Sequence, residues 1–118
     1  MNKITSAGAI TNPGGVTLSG AFGSAVDGAG NIFVSNRTSA DIAEYSGSTS
    51  AAVSAVRYEG SGNATIMTDP LNLATDPSGN LWIADYLGSK IEEFVGIAAP
   101  TYTPLSTAAS VGKLGAKP

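Results

Sequence analysis

Nine carboxylates and six cationic side chains, with neither histidine nor cysteine, are what these 118 residues bring to any chemistry. The carboxylates are Asp27, Asp41, Glu44, Glu59, Asp69, Asp76, Asp85, Glu92 and Glu93. Without histidine the usual general base at neutral pH is missing. Serines are abundant but have no His partner and no G-x-S-x-G elbow to activate one. A calcium loop needs oxygens at alternate positions and a chelating Glu at its end. Asp27-Gly28-Ala29-Gly30-Asn31 and Asp76-Pro77-Ser78-Gly79-Asn80 lack that series. Turn formation accounts for them better, because an Asp side chain closes an Asx-turn and Gly accepts positive φ. Gly28-Ala29-Gly30 opens no helix, so it does not form a dinucleotide loop. The expectation is a chain with no catalytic, metal or cofactor residues, and not an enzyme.

Three residues stand as weak binding candidates. Asn36 and Asp85 each follow an apolar strand and occupy the same slot in it, where a turn cap is the simpler role. Trp82 and Phe33 occupy equivalent strand positions, where packing between sheets competes with a binding platform. Asn36-Arg37-Thr38 and Asn63-Ala64-Thr65 match the glycosylation triplet, which a Thr-rich chain contains often by chance.

Charge narrows the partners. The net charge is −3, and Lys3, Arg37, Arg57, Lys90, Lys113 and Lys117 are scattered. No basic stripe is available for phosphates or anionic lipid, so neither nucleic acid nor a membrane is expected as partner. No apolar run approaches the roughly 20 residues that span a bilayer, and the N-terminus shows no signal-peptide core.

The elements that position these side chains are legible as a repeat. Phe22–Ser46 and Leu71–Val95 align without a gap at an offset of 49 residues. Identical pairs are Ala25/Ala74, Asp27/Asp76, Gly30/Gly79, Asn31/Asn80, Ile42/Ile91 and Glu44/Glu93. Each unit reads as strand, tight turn, strand, turn, strand, with strands near 22–27, 31–35 and 41–45 and again near 71–75, 81–85 and 91–95. Ile32-Phe33-Val34 and Leu81-Trp82-Ile83 are apolar at consecutive positions, so both faces of each sheet should be covered. An outer strand is expected over Val53–Glu59, where a short helix is the alternative, and over Thr101–Leu105. Lys3-Ile4-Thr5 matches Glu44-Tyr45-Ser46 and Glu93-Phe94-Val95, the end of a third strand.

At these residues the chain resembles an NHL-type bacterial β-propeller, whose blades read Asp-x-x-Gly-Asn-aliphatic-aromatic-aliphatic. The resemblance covers both units and extends to Glu93–Gly96, Ala98–Pro100, Thr103–Leu105 and Lys113–Gly115, which look like a closing segment. It implies an all-β fold, a partial β-propeller of two antiparallel blade repeats with strand remnants at both ends. The divisions are 1–20 for the remnant, 21–60 and 61–106 for the blades and 107–118 for a tail. Related proteins commonly carry a secretion signal and about six blades. This chain departs on both counts, which implies a cut N-terminus and an extracytoplasmic site for any longer precursor. The function implied is a non-enzymatic structural or binding scaffold. Its alternative is a fragment of a streptogramin lyase-like or gluconolactonase-like enzyme whose catalytic residues lie in other blades. The ligand, protein or carbohydrate or other small molecule, is not specified. Lone blades leave apolar faces wet, so a homo-oligomer through blade faces is expected.

Overall fold

The computed structural model describes residues 3–4, 6–11, 17–47, 56–58, 66–101 and 112. These residues are all-β and turn, with no helix among them. A short ribbon pairs β1 (Lys3–Ile4) with β2 (Ile10–Thr11). The first unit is an antiparallel sheet in the order β3 (Ala21–Val26), β4 (Ile32–Asn36), β5 (Asp41–Tyr45), β6 (Val56–Tyr58). The second is β7 (Pro70–Thr75), β8 (Leu81–Asp85), β9 (Lys90–Phe94). The six repeated strands fall within one residue of the positions expected from sequence. Val56–Tyr58 realises part of the expected outer strand. The rest of Val53–Glu59, Tyr102–Leu105 and the tail, apart from Gly112, lie outside the described residues.

The repeat extends from residue types to backbone detail. Ala25 pairs with Phe33 as Ala74 pairs with Trp82, and Ile32 pairs with Tyr45 as Leu81 pairs with Phe94. Even the register shift recurs, between Ala21 and Ser24 and between Pro70 and Leu73. Local chemistry explains the shared turns. Asp27 Oδ1 accepts the N–H groups of Ala29 and Asn31 at 2.9 and 2.8 Å, and Asp76 Oδ1 accepts those of Ser78 and Asn80 at 2.8 and 2.9 Å. Gly30 and Gly79 take the positive φ these turns demand, 82° and 87°. Asn31 and Asn80 then reach across to the N–H of Gly47 and Gly96, tying the first turn to the end of the third strand.

The two sheets stack, and the main core lies between them. Phe33 and Ile42 of the first sheet meet Leu81 and Ile83 of the second, with Met67 and Ala98 closing the ends. Removing each of these large side chains from water contributes about 1.5–3 kcal/mol. The first sheet is buried on its other face too, where Val34, Ala43 and Tyr45 form a second cluster with Leu18 and Ile32. The expectation of cover on both faces therefore holds for Ile32-Phe33-Val34. It does not hold for Leu81-Trp82-Ile83, whose strand alternates: Leu81 and Ile83 are buried while Trp82 is exposed. The buried cluster that joins the two sheets takes Leu81 and Ile83 from this strand and not Trp82.

Candidate functional site

Asn36, Arg37, Asp69 and Asp85 meet at one rim of the stacked sheets, where the β4–β5 and β8–β9 turns sit beside the segments entering β3 and β7. Asn36 ends β4 and is fully buried. Its Oδ1 accepts the N–H of Ser19 at 3.3 Å, and its Nδ2 donates to Asp41 Oδ1 at 2.7 Å. Asp85 ends β8 and does the same work with a charge. Its Oδ2 accepts Thr68 N–H at 2.9 Å, and its Oδ1 accepts Asp69 N–H at 2.8 Å and Gly88 N–H at 3.1 Å. Burial pushes the Asp85 carboxyl up, but the three N–H donors and the Lys90 charge outweigh it and hold the group below its ordinary range. Both candidates thus face inward as caps, each fastening the incoming segment of its own unit.

What Asp85 fastens is Asp69, and Asp69 receives a side chain from the other unit. Arg37 grips it through two parallel bonds, Nε to Oδ1 and Nη2 to Oδ2, the latter at 2.8 Å. This fork geometry adds direction to charge attraction. The guanidinium lies 5.9 Å from the centroid of the Phe22 ring, an aromatic face that favours a cation. The Asp69 hydrogen bond and charge raise the Arg37 pKa, so the guanidinium keeps its positive charge. An open cleft of about 330 Å³ lies over the pair, lined by Gly20, Arg37, Thr38, Thr68, Asp69 and Leu87. Tyr86 stands exposed beside Leu87. A fixed ion pair flanked by two threonines and bordered by apolar surface can orient a polar ligand through hydrogen bonds.

Trp82 belongs elsewhere. Its indole N–H donates to Asp76 Oδ2 at 2.9 Å, and the ring borders a shallow depression of about 200 Å³ with Asn72, Leu73, Ala74, Ile83, Ala84 and Ile91. The structure therefore brings Asn36 and Asp85 to one rim and leaves Trp82 on a separate sheet face. Arg37 and Asp69 were not singled out from sequence. They lie 32 residues apart, and nothing in their spacing marks a pair. The one available signal is a break in the repeat, Arg37 standing where the second unit has Tyr86. Among the described residues, no three His, Cys, Asp or Glu side chains cluster closely enough to hold a metal ion.

Comparison with known proteins adds no family: no family model matches the chain, and no curated protein shows significant similarity to it.

Proposed function

We propose that the chain is part of an NHL-like β-propeller and serves as a non-enzymatic binding scaffold, presenting the rim cleft between its two stacked units to a polar ligand or a partner loop. One observation carries this reading. The only side-chain ion pair joining the two units among the described residues, Arg37–Asp69, sets a half-exposed guanidinium at a cleft against a buried carboxylate that Asp85 braces from behind. The blade repeat and face-to-face stacking support the propeller reading. The charge-fixed, Thr-flanked cleft supports recognition rather than bond-making.

The test is binding by the intact protein to arrayed glycans and peptides, repeated with Arg37→Gln and Thr38→Val. Loss of the same ligand in both variants, with the β-sheet circular dichroism retained and the melting temperature of Thr38→Val unchanged, is the expected result. A ligand whose binding ignores both substitutions, or a hydrolase or lyase activity that survives them, would overturn the proposal.

A further inference from the structure

The repeat makes the open face of the second sheet interpretable. Trp82 and Ile91 are the counterparts of Phe33 and Ile42 at the offset of 49, and they are 39% and 65% exposed where Phe33 and Ile42 are fully buried. In the first unit this face is covered by Leu81, Ile83 and Leu73 of the second, with Phe94 packed at the edge. The question is what covers the same face one unit later.

A further sheet docked as the second unit docks on the first does not fit. That docking uses Asp27, whose counterpart Asp76 spends the equivalent oxygen on Asn80 and Trp82 of its own sheet. It also uses the Val26 carbonyl, which accepts from Thr75, and four residues that the second unit replaces. Ser35 Oγ donates to Leu71 O, Gly28 N–H donates to Ala99 O at 3.1 Å, and Arg37 grips Asp69. Gly23 lies so close to Leu71 O that a Cβ there would overlap it, and a Cβ at Gly28 would overlap Pro100 O. The counterparts in the second unit are Ala84, Pro77, Tyr86 and Asn72. Three polar links are gone, Pro77 has no N–H to give, and side chains stand where the approach requires glycine.

The chain itself offers a different occupant. Ile4 and Ile10 face each other across the β1–β2 ribbon and are 67% and 68% exposed. Directly paired residues share a face, so they form one apolar ridge. By the repeat, Ile4 is the counterpart of Phe94, a residue that packs on the Phe33–Ile42 cluster. The ridge therefore has the kind of side chain, at the repeat position, that this type of face accepts. A two-stranded ribbon is also narrower than a full sheet and needs none of the polar links that the second unit lacks. We infer that the Trp82–Ile91 face binds the Ile4–Ile10 ribbon of a second copy of this chain. The contact is head-to-tail, with different surfaces on the two partners, and it stands whether or not the rim cleft binds a ligand.

Trp82 is the only tryptophan, so its fluorescence reports this face alone. As protein concentration rises, its emission should shift to shorter wavelength while light scattering shows mass increasing. Ile10→Asp and Ile91→Asp should each abolish both changes. Mixed together, the two variants should form dimers and nothing larger, because one retains the face and the other the ribbon. The chain has no cysteine, so Ile10→Cys and Ile91→Cys chains provide a second readout. Oxidation should cross-link the mixture and neither variant alone. Concentration-independent emission, association that survives Ile10→Asp, or a mixture that stays monomeric would each overturn the inference. Association lost only with Ile91→Asp would point instead to a symmetric pairing of Trp82 faces.

Discussion

Asp27 Oδ2 accepts the backbone N–H of Ala99 at 2.8 Å, joining residues 72 positions apart. The same carboxylate closes its own turn through Oδ1 and holds Asn31 Nδ2 at 2.9 Å. A turn that is purely local in sequence is thereby also a link between the two units. Its counterpart Asp76 spends the equivalent oxygen on Asn80 Nδ2 and on Trp82 of its own sheet.

This asymmetry ranks two substitutions. Asp27→Ala leaves the N–H groups of Ala29, Asn31 and Ala99 without their acceptor and should destabilise the fold by about 2–3 kcal/mol. Asp76→Ala disturbs one local turn and should cost distinctly less. Urea denaturation of both variants checks the order, and equal midpoints would contradict it.

Acid should weaken the fold over a defined window. Asp76 is held at about 2, against an ordinary value of 3.8, by the Trp82 indole N–H and the Asn80 amides. Asp85 is also held low: burial pushes its carboxyl up, but the backbone N–H groups of Asp69, Thr68 and Gly88 outweigh it. Asp27 is lowered in the same way, its burial outweighed by the N–H groups of Ala99, Asn31 and Ala29. A carboxylate whose folded pKa is depressed stabilises the protein above its unfolded value and loses that contribution as pH falls through the folded one. Melting temperature should be nearly flat from pH 7 to about 5, then drop between roughly 4 and 2. Asp85→Asn should flatten part of that drop.

Ser35 tests the stacking of the sheets. It is fully buried, and its hydroxyl accepts Gly23 N–H at 2.8 Å and donates to Leu71 O of the facing strand. Ser35→Ala leaves a partly buried donor, Gly23 N–H, and a partly buried acceptor, Leu71 O, without this hydroxyl, at a cost of about 1–2 kcal/mol. The denaturation midpoint should fall with the slope unchanged, since the surface exposed on unfolding is the same.

Asn36→Asp should invert the usual acid response. The new carboxylate would sit against Asp41 Oδ1, where Asn36 Nδ2 now donates at 2.7 Å. Two buried like charges favour retention of one proton. The variant should be less stable than the parent at pH 7 and recover relative to it near pH 4, as thermal melts at the two values will show.

Legibility from sequence followed the range of the interaction. The strands, the Asx-turns and the offset were readable because Asp27, Gly30 and Asn31 act on one another within a few positions. The capping roles of Asn36 and Asp85 were half readable: their slot at the strand end was evident, but Ser19, Thr68 and Asp69 as their targets were not. Arg37–Asp69, Ser35–Leu71 and Asp27–Ala99 were invisible, because each depends on how the sheets stack. The exposure of Trp82 was misjudged for the same reason. An apolar triplet states what a strand can bury on either face, and only a neighbour decides which face is buried.

The offset of 49 has a kinetic meaning as well. Within each unit the strands are successive hairpins, joined across residues 27–31, 37–40, 76–80 and 86–89, so their loops close quickly, on the order of microseconds. Stacking Phe33 on Ile83 needs closure across 50 residues, a slower non-local event. During synthesis the first sheet pairs while the strand that will cover Phe33 and Ile42 is still unmade. For that interval the nascent chain carries a bare aromatic-aliphatic surface, and it is then that aggregation or chaperone capture competes with folding.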